Sequence, residues 1–137
     1  CFNWMEFQLA TIVSSVPGKI EAEALSNANQ YYPENCSEGG LKLSWILSGD
    51  WMDYNVYVQE SGIYTVAFRV ARAYYSPGGL QLQRDGTVLC SIDIPNTGGD
   101  EIWTTVYANV YLKAGFQTLR VLSTGHDWNI NWMEITK

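Results

Sequence analysis

The fold is decided by residues 64–71, which have the sequence YTVAFRVA. Large apolar side chains occupy positions 64, 66, 68 and 70, and smaller or polar side chains occupy the positions between them. Successive side chains of a β-strand point to opposite faces, so this period of two predicts a strand with one face in a core. The same alternation returns in residues 105–112, TVYANVYL.

Turn residues separate many such short segments along the chain. Asp85-Gly86, between two alternating segments, is the strongest hairpin signal. No segment carries a helical apolar stripe beyond one turn near residues 21–27. The sequence therefore predicts an all-β fold, a two-sheet β-sandwich of the jelly-roll type. The predicted strands lie near 19–23, 42–46, 51–58, 63–72, 79–84, 87–94, 103–112, 116–123 and 128–136.

Composition narrows the range of functions. The chain has 137 residues, enough for one domain, and a net charge of −6, which argues against nucleic acid as a partner. No apolar segment is long enough to span a membrane. Six Trp, nine Tyr and four Phe exceed what a core of this size needs. We expect some of these rings at the surface, where they can stack on sugars, although core and strand-surface positions are the alternative for each.

The first residues contain an echo of the last strand. Asn3-Trp4-Met5-Glu6-Phe7 resembles the sequence NWMEI of residues 131–135. This echo predicts that residues 1–17 are a linker or the remnant of a preceding similar module, and that residues 18–137 form the module itself. Tandem modules would then be present in the parent protein. Chance similarity in an ordinary first strand is the alternative.

Catalytic chemistry is not evident in the sequence. His126 is the one histidine, and a triad or zinc site would need partners that are missing. Carboxylate pairs such as those at 50 and 53, or at 100 and 101, would need a sugar-sized cleft in a larger scaffold to hydrolyse a glycoside. The sequence predicts a protein that is not an enzyme. Its three cysteines allow at most one internal bridge, for which Cys36 with Cys90 is preferred.

Two glutamates flank Ala22. Glu21 and Glu23 point to the same side if this segment is a strand, and such an oxygen-rich pair suits calcium. Two glutamates on a solvent-exposed face are the alternative.

From about residue 19 to residue 137 the chain resembles a family 6 carbohydrate-binding module. The order and spacing of the matching segments, across nearly the whole chain, make the resemblance specific. The segments are KIEAE (19–23), GDWMDY (49–54), SGIYTV (61–66), GLQL (79–82), DGTVL (85–89), PNTGG (95–99), WTTV (103–106), LKAG (112–115) and WNINW (128–132).

The resemblance implies a jelly roll that targets an attached polysaccharide-degrading enzyme to its substrate, in a secreted or extracellular protein. It also implies a structural calcium held by Glu21, Glu23 and Asn131. The principal polysaccharide site would lie in the loops at one end of the sandwich. There an early aromatic, Tyr31 or Tyr32, would stack on the apolar face of a sugar ring.

An asparagine of the last strand completes the sugar site that the resemblance implies. This residue is Asn129, whose amide offers both a donor and an acceptor to sugar hydroxyls. Family members usually have a second stacking Trp directly after the Gly-Gly pair, where this chain has Asp100 and then Glu101. Trp103 matches a more general Trp of the family and is expected to be largely structural. Trp128 is the predicted replacement for the missing ring.

Three further aromatic residues are weaker candidates for sugar binding. Tyr74 and Tyr75 could form another wall of the sugar site, and Trp45 could belong to a second cleft on the concave face.

The acidic rim predicts a neutral ligand. The carboxylates of Asp100 and Glu101 accept hydrogen bonds from hydroxyls and repel anionic polymers. A β-1,3-glucan, an agarose-type galactan or xylan are the predicted ligands, with chitosan as an outside alternative. Because Asp100 replaces a stacking ring, a structural or protein-interaction module that has lost its sugar site is the alternative function. Exposure of Trp128, Tyr31 and Tyr32 around one groove would favour sugar binding over that alternative.

Overall fold

The computed structural model describes residues 13–73, 78–125 and 127–137. These residues form twelve β-strands and no helix, which confirms the predicted all-β class. No helix that could cross a membrane occurs in this part of the chain. The strands are β1 (Ser14–Val16), β2 (Gly18–Glu21), β3 (Asn27–Ala28), β4 (Pro33–Asn35), β5 (Leu41–Ile46), β6 (Trp51–Val58), β7 (Gly62–Arg72), β8 (Gly78–Arg84), β9 (Thr87–Ile94), β10 (Gly99–Leu112), β11 (Gly115–Ser123) and β12 (Trp128–Thr136).

The strands form the two sheets of a sandwich. The first sheet has the order β1-β6-β11-β8-β9, with β3 also paired to β6. The second sheet has the order β10-β7-β12-β5-β4, with β2 also paired to β12. Strand pairs are antiparallel except β1 with β6. The last strand, β12, therefore lies inside its sheet between β7 and β5.

The core lies between the sheets and follows the alternation in the sequence. On β7 the side chains of Tyr64, Val66, Phe68 and Val70 are fully buried. Each side chain of this kind contributes about 1.5–3 kcal/mol when it leaves water. The hydroxyl of Tyr54, on β6, donates to the carbonyl of Ala22 at 2.8 Å, so its burial leaves no unpaired polar group.

The predicted hairpin joins β8 to β9. Asp85 and Gly86 have φ values of 51° and 80°, as a two-residue turn between twisted strands requires. An aspartate followed by a glycine suits these angles because both residues tolerate the left-handed region.

The sandwich extends upstream of the boundary expected at residue 18. Val16, on β1, is fully buried in the core, and β1 pairs with β6. Residues 1–12, which carry the NWMEF echo, lie outside the described residues, so the preceding module remains a prediction.

The preferred disulfide is wrong. Cys36 follows β4 in the second sheet, whereas Cys90 lies on β9 at the edge of the first sheet, and both are free thiols. Burial raises the pKa of each thiol. Neither is therefore a reactive thiolate at neutral pH.

Candidate functional site

A cleft lies on the outer face of the second sheet, where β5 and β12 are neighbours. Leu43 points into the core, so Lys42 and Ser44, one position to either side, point outward. Asn129 likewise lies between Trp128 and Ile130, whose side chains are buried in the core. The alternation of two adjacent strands thus places a lysine, a serine and an asparagine on one face.

The hairpin of β4 and β5 folds over this face. The backbone N–H of Ser37, in the hairpin turn, donates to Glu101 Oε1 on β10 at 2.8 Å, and Trp103 Nε1 donates to Ser37 Oγ at 3.0 Å. Arg69, on β7, donates to both carboxylate oxygens of Glu38, at 3.1 and 2.6 Å. In the sheet β10 is separated from β5 by β7 and β12. The turn therefore reaches across two strands, and Glu34 of the same hairpin lines the cleft.

The cleft is small and polar, with an apolar extension. Its cavity has a volume of about 90 Å³. A neighbouring, more open depression shares Trp45 and adds Gln30, Tyr32 and Leu47. Trp45 is therefore a wall common to a polar and an apolar compartment. The residues that line the polar cavity are Glu34, Lys42, Ser44, Trp45, Asp100, Asp127 and Asn129.

A β-bulge projects Trp45 into this position. Trp128 pairs with Ile46, and Ile130 pairs with Leu43. One residue of β12 therefore lies opposite two residues of β5, so β5 carries one extra residue. Trp45 has a φ of 57°, and its side chain is 61% exposed. A non-glycine residue in this left-handed region is strained, and such strain is concentrated at functional positions.

Sequence reasoning placed Trp45 at a second cleft, but the structure places it in the same cleft as Asn129. A signal was present in residues 43–47, LSWIL, where apolar positions 45, 46 and 47 break the alternation. That break marks the bulge.

Asn129 forms part of the floor of the cleft. Only 5% of it is exposed, and Nδ2 donates to the backbone carbonyl of Asp100 at 2.9 Å. This bond ties the loop before β10 to β12. The amide oxygen and the second N–H remain for a ligand in the cleft. Of the two residues of the predicted acidic rim, Asp100 also lines the cleft.

The predicted tyrosines differ in their positions. Tyr31 and Tyr32 are both about half exposed in the segment before β4. Tyr32 lines the apolar depression beside Trp45, whereas Tyr31 is not among the lining residues of either compartment. Trp103 is half-buried, its Nε1–H donates to Ser37 Oγ in the hairpin turn, and it is not among the lining residues of either compartment.

Trp128 does not replace the missing ring. Its side chain is 0% exposed, and Nε1 donates to Ser123 Oγ at 2.8 Å in the interior. The prediction was wrong because position 128 lies on the core side of β12, which the alternation to Asn129 requires. Tyr74, Tyr75 and His126 lie outside the described residues.

Charges line the base of the cleft. Lys42 is buried, lies 3.7 Å from Glu34 Oε1, and forms a close ion pair with Glu101. Ser44 Oγ donates to Glu34 Oε1 at 2.7 Å. Burial acts to raise the pKa of Glu101, but hydrogen bonds from Lys42 and Ser37 outweigh it and the pKa is lowered. Glu101 is therefore ionised at neutral pH and balances the lysine.

The predicted calcium ligands lie together in a second cavity. Glu21, Glu23 and Asn131 line it with Glu38 and Arg69. Glu23 Oε1 is buried without a hydrogen-bond partner. In the described part of the chain, no group of three or more His, Cys, Asp or Glu side chains is arranged to hold a metal. A cation would therefore need the Asn131 amide oxygen besides the two carboxylates, and the unpartnered oxygen fits that role.

The sandwich and the cleft define the class of protein as a binding module. The cleft combines the exposed Trp45 ring and the Asn129 amide with the buried Lys42, which is paired with Glu101.

The model of the carbohydrate binding module family 6 matches residues 21–137. The C-terminal module of this family from LamC, a marine laminarinase of Zobellia galactanivorans, is 40% identical with a TM-score of 0.83, over 88% of this chain and 98% of that one. A β-1,3-glucan-binding module from Bacillus halodurans is 27% identical with a TM-score of 0.83, over 91% and 99%. This chain belongs to family 6 of the carbohydrate-binding modules. It is a non-catalytic jelly-roll module that binds polysaccharides.

Curated relatives contain similar modules within longer chains. The α subunit of clotting factor G from Tachypleus tridentatus is 34% identical over 86% of this chain, which spans 18% of that protein. β-Agarase AgaO from Microbulbifer thermotolerans is 24% identical over 82% of this chain, which spans 10% of that protein.

Proposed function

We propose that this module binds a neutral polysaccharide, with β-1,3-glucan as the first candidate, by stacking a sugar ring on Trp45 and bonding its hydroxyls to Asn129. The observation that carries the proposal is the exposed Trp45 ring beside the buried Asn129 amide in one cleft. A pyranose has an apolar face, which stacks on an aromatic ring, and a rim of hydroxyls, which bond to an amide. A site for one sugar therefore needs both side chains in the same cleft. Tyr32 extends the apolar wall.

The charge of the cleft supports a neutral ligand. Glu34, Asp100 and Asp127 line it together with a single lysine. This acidic excess repels uronic and sulfated polymers, whereas the carboxylates accept hydrogen bonds from neutral sugars.

The relatives support a glucan among the neutral polysaccharides. The module from Bacillus halodurans is described as binding β-1,3-glucan, and the 40% identical module belongs to a laminarinase. Agarose-type galactan and xylan are the remaining candidates, the former supported by the resemblance to β-agarases.

A structural or protein-interaction module is the alternative. The burial of Trp128 removes one ring that sugar binding was expected to use. The exposure of Trp45 and Tyr32 on a shared wall supports binding, because a module without a ligand gains nothing from a strained, exposed tryptophan.

The proposal extends to the surroundings of the module. We infer that Glu21, Glu23 and Asn131 hold a structural calcium. The unpartnered Glu23 oxygen supports this inference.

A catalytic domain in the same chain is supported by the small share of the curated relatives that the module spans. A tandem copy is supported by the NWMEF echo of residues 3–7. Secretion follows from a polymeric ligand that is met outside the cell.

The test is isothermal titration calorimetry with affinity electrophoresis against laminarin, agarose, xylan, mannan and chitosan. The variants are Trp45→Ala and Asn129→Ala, with Tyr107→Ala as control because Tyr107 is equally exposed but lies on β10 outside the cleft. Covering about 60 Å² of the Trp45 ring contributes about 1.5 kcal/mol, so Trp45→Ala should weaken binding roughly ten-fold.

Binding of one neutral polysaccharide that both cleft variants weaken and Tyr107→Ala does not would support the proposal. Absence of binding to every polymer, or an equal loss in the control, would leave the structural alternative.

A further inference from the structure

Lys42 occupies an unusual position at the base of the cleft. Its side chain is 5% exposed, although lysine is almost never buried at this level without a partner. It lies on the outward face of β5 and lines the same cavity as Trp45 and Asn129. Taking an ammonium group out of water is costly. Its burial must therefore be compensated by partners within the fold or by a bound ligand.

The compensation is incomplete. An ammonium group has three N–H donors. Glu101 forms a close ion pair with Lys42, but Glu34 Oε1 lies at 3.7 Å, too far for a hydrogen bond. The described residues offer no other hydrogen-bond acceptor to the ammonium group of Lys42. Two donors of a buried cation therefore remain, in a residue that lines a cavity.

The position of Lys42 is fixed by the hairpin that crosses the sheet. Ser37 binds Glu101 through its backbone N–H, and its hydroxyl donates to the Glu101 carbonyl at 3.2 Å. Ser44 holds Glu34 on the other side. The ammonium group is thus positioned by two anchored carboxylates, which keeps it in one geometry before a ligand arrives.

We propose that Lys42 is a specificity-determining residue of the cleft, which donates charge-assisted hydrogen bonds to oxygens of the sugar that stacks on Trp45. The inference rests on the proposed function and deepens it. Where the family resemblance leads one to expect a second stacking ring, this chain has Asp100 and Glu101, and Glu101 positions a cationic donor instead. Recognition then depends on one ring and one ammonium group, and it selects a ligand with acceptor oxygens directed to the base of the cleft.

The test compares Lys42→Met with Glu101→Gln. Methionine keeps most of the length and apolar volume of the lysine, and the carboxylates of Glu34 and Glu101, which are 51% and 39% exposed, can be solvated without it. Lys137→Met is the matched control, because Lys137 is paired with Glu60 in the turn at the far end of β6. Binding of laminarin is measured by calorimetry, and thermal unfolding reports the fold. Lys42→Gln serves as a second charge-removing variant if Lys42→Met does not fold.

Lys42→Met is expected to lose about ten-fold or more in affinity, the effect of a charge-assisted hydrogen bond, while Lys137→Met loses none. Glu101→Gln should lose less, because it keeps the donor. Equal losses in the two cleft variants would show that Lys42 only positions the hairpin, and an unchanged affinity of Lys42→Met would likewise overturn the inference. In both cases Trp45→Ala and Asn129→Ala would still weaken binding. A wild-type module that binds no polysaccharide would overturn the proposed function together with this inference.

Discussion

Replacing Trp45 by glycine should be better tolerated by the fold than replacing it by alanine, which is the reverse of the usual order in a strand. Both variants remove the ring, so the difference between them isolates the backbone. With a φ of 57°, any residue that has a Cβ is strained at this position. The left-handed region costs such a residue about 1–2 kcal/mol.

Glycine carries its own penalty. Its greater freedom in the unfolded chain costs about 0.5–1 kcal/mol relative to alanine. The net expectation is that Trp45→Gly is more stable than Trp45→Ala by about 0.5–1 kcal/mol. Tyr107 supplies the control, because it is equally exposed on a strand and is not among the residues with positive φ. There the alanine variant should be the more stable of the two.

Urea denaturation of the four variants measures both differences, with equal m-values as the check that the unfolded states are comparable. If glycine is less stable than alanine at position 45 by the same amount as at position 107, the strain assigned to the bulge is refuted. Both Trp45 variants should lose affinity for the polysaccharide to the same extent.

Three further outcomes are expected. Trp128→Phe removes the buried hydrogen bond to Ser123 and should lower the free energy of unfolding by about 1–3 kcal/mol in urea denaturation without a specific effect on sugar affinity. EDTA should lower the melting temperature of the wild type and have little effect on Glu23→Gln, if calcium binds the unpartnered oxygen; equal shifts in both would contradict that site. The hydrogen bond from Arg69 holds the pKa of Glu38 below its usual range, so its stabilisation is present at neutral pH and is lost as the pH falls through the lowered pKa. Glu38→Gln should therefore unfold more easily than the wild type at neutral pH, and the difference should shrink in acid in a pH series of thermal melts.

Much of the fold was predictable because it depends on local alternation. Strands β6, β9 and β12 were predicted with the bounds that the structure has, and the Asp85-Gly86 turn was predicted from two residues. The short strands β1, β3 and β4 were not predicted. They have two or three residues each and pair at sheet edges or off the main path, so they carry too few side chains for a periodic signal.

The candidate site was only partly predictable. Asn129 and Asp100 were placed in the cleft through the resemblance, and the structure brings them together. The exposed ring of the cleft is supplied by Trp45 and not by Trp128. One extra residue on β5 turns Trp45 outward, whereas Trp128 alternates with Asn129 on β12 and faces the core. Lys42 was missed altogether. Its role depends on a hairpin that folds over the sheet to reach Glu101, a contact between distant strands that no local pattern reports.

The place of β12 inside the second sheet has a consequence for synthesis of the protein. Residues 128–136 separate β7 from β5 and also supply Asn129, so neither the sheet nor the cleft can be completed on the ribosome before this segment has emerged. Until then β5 and β7 lack the strand that pairs with both of them, and their unpaired edges are prone to aggregation. Sugar binding by a nascent chain would thus report that the whole module has been made and folded.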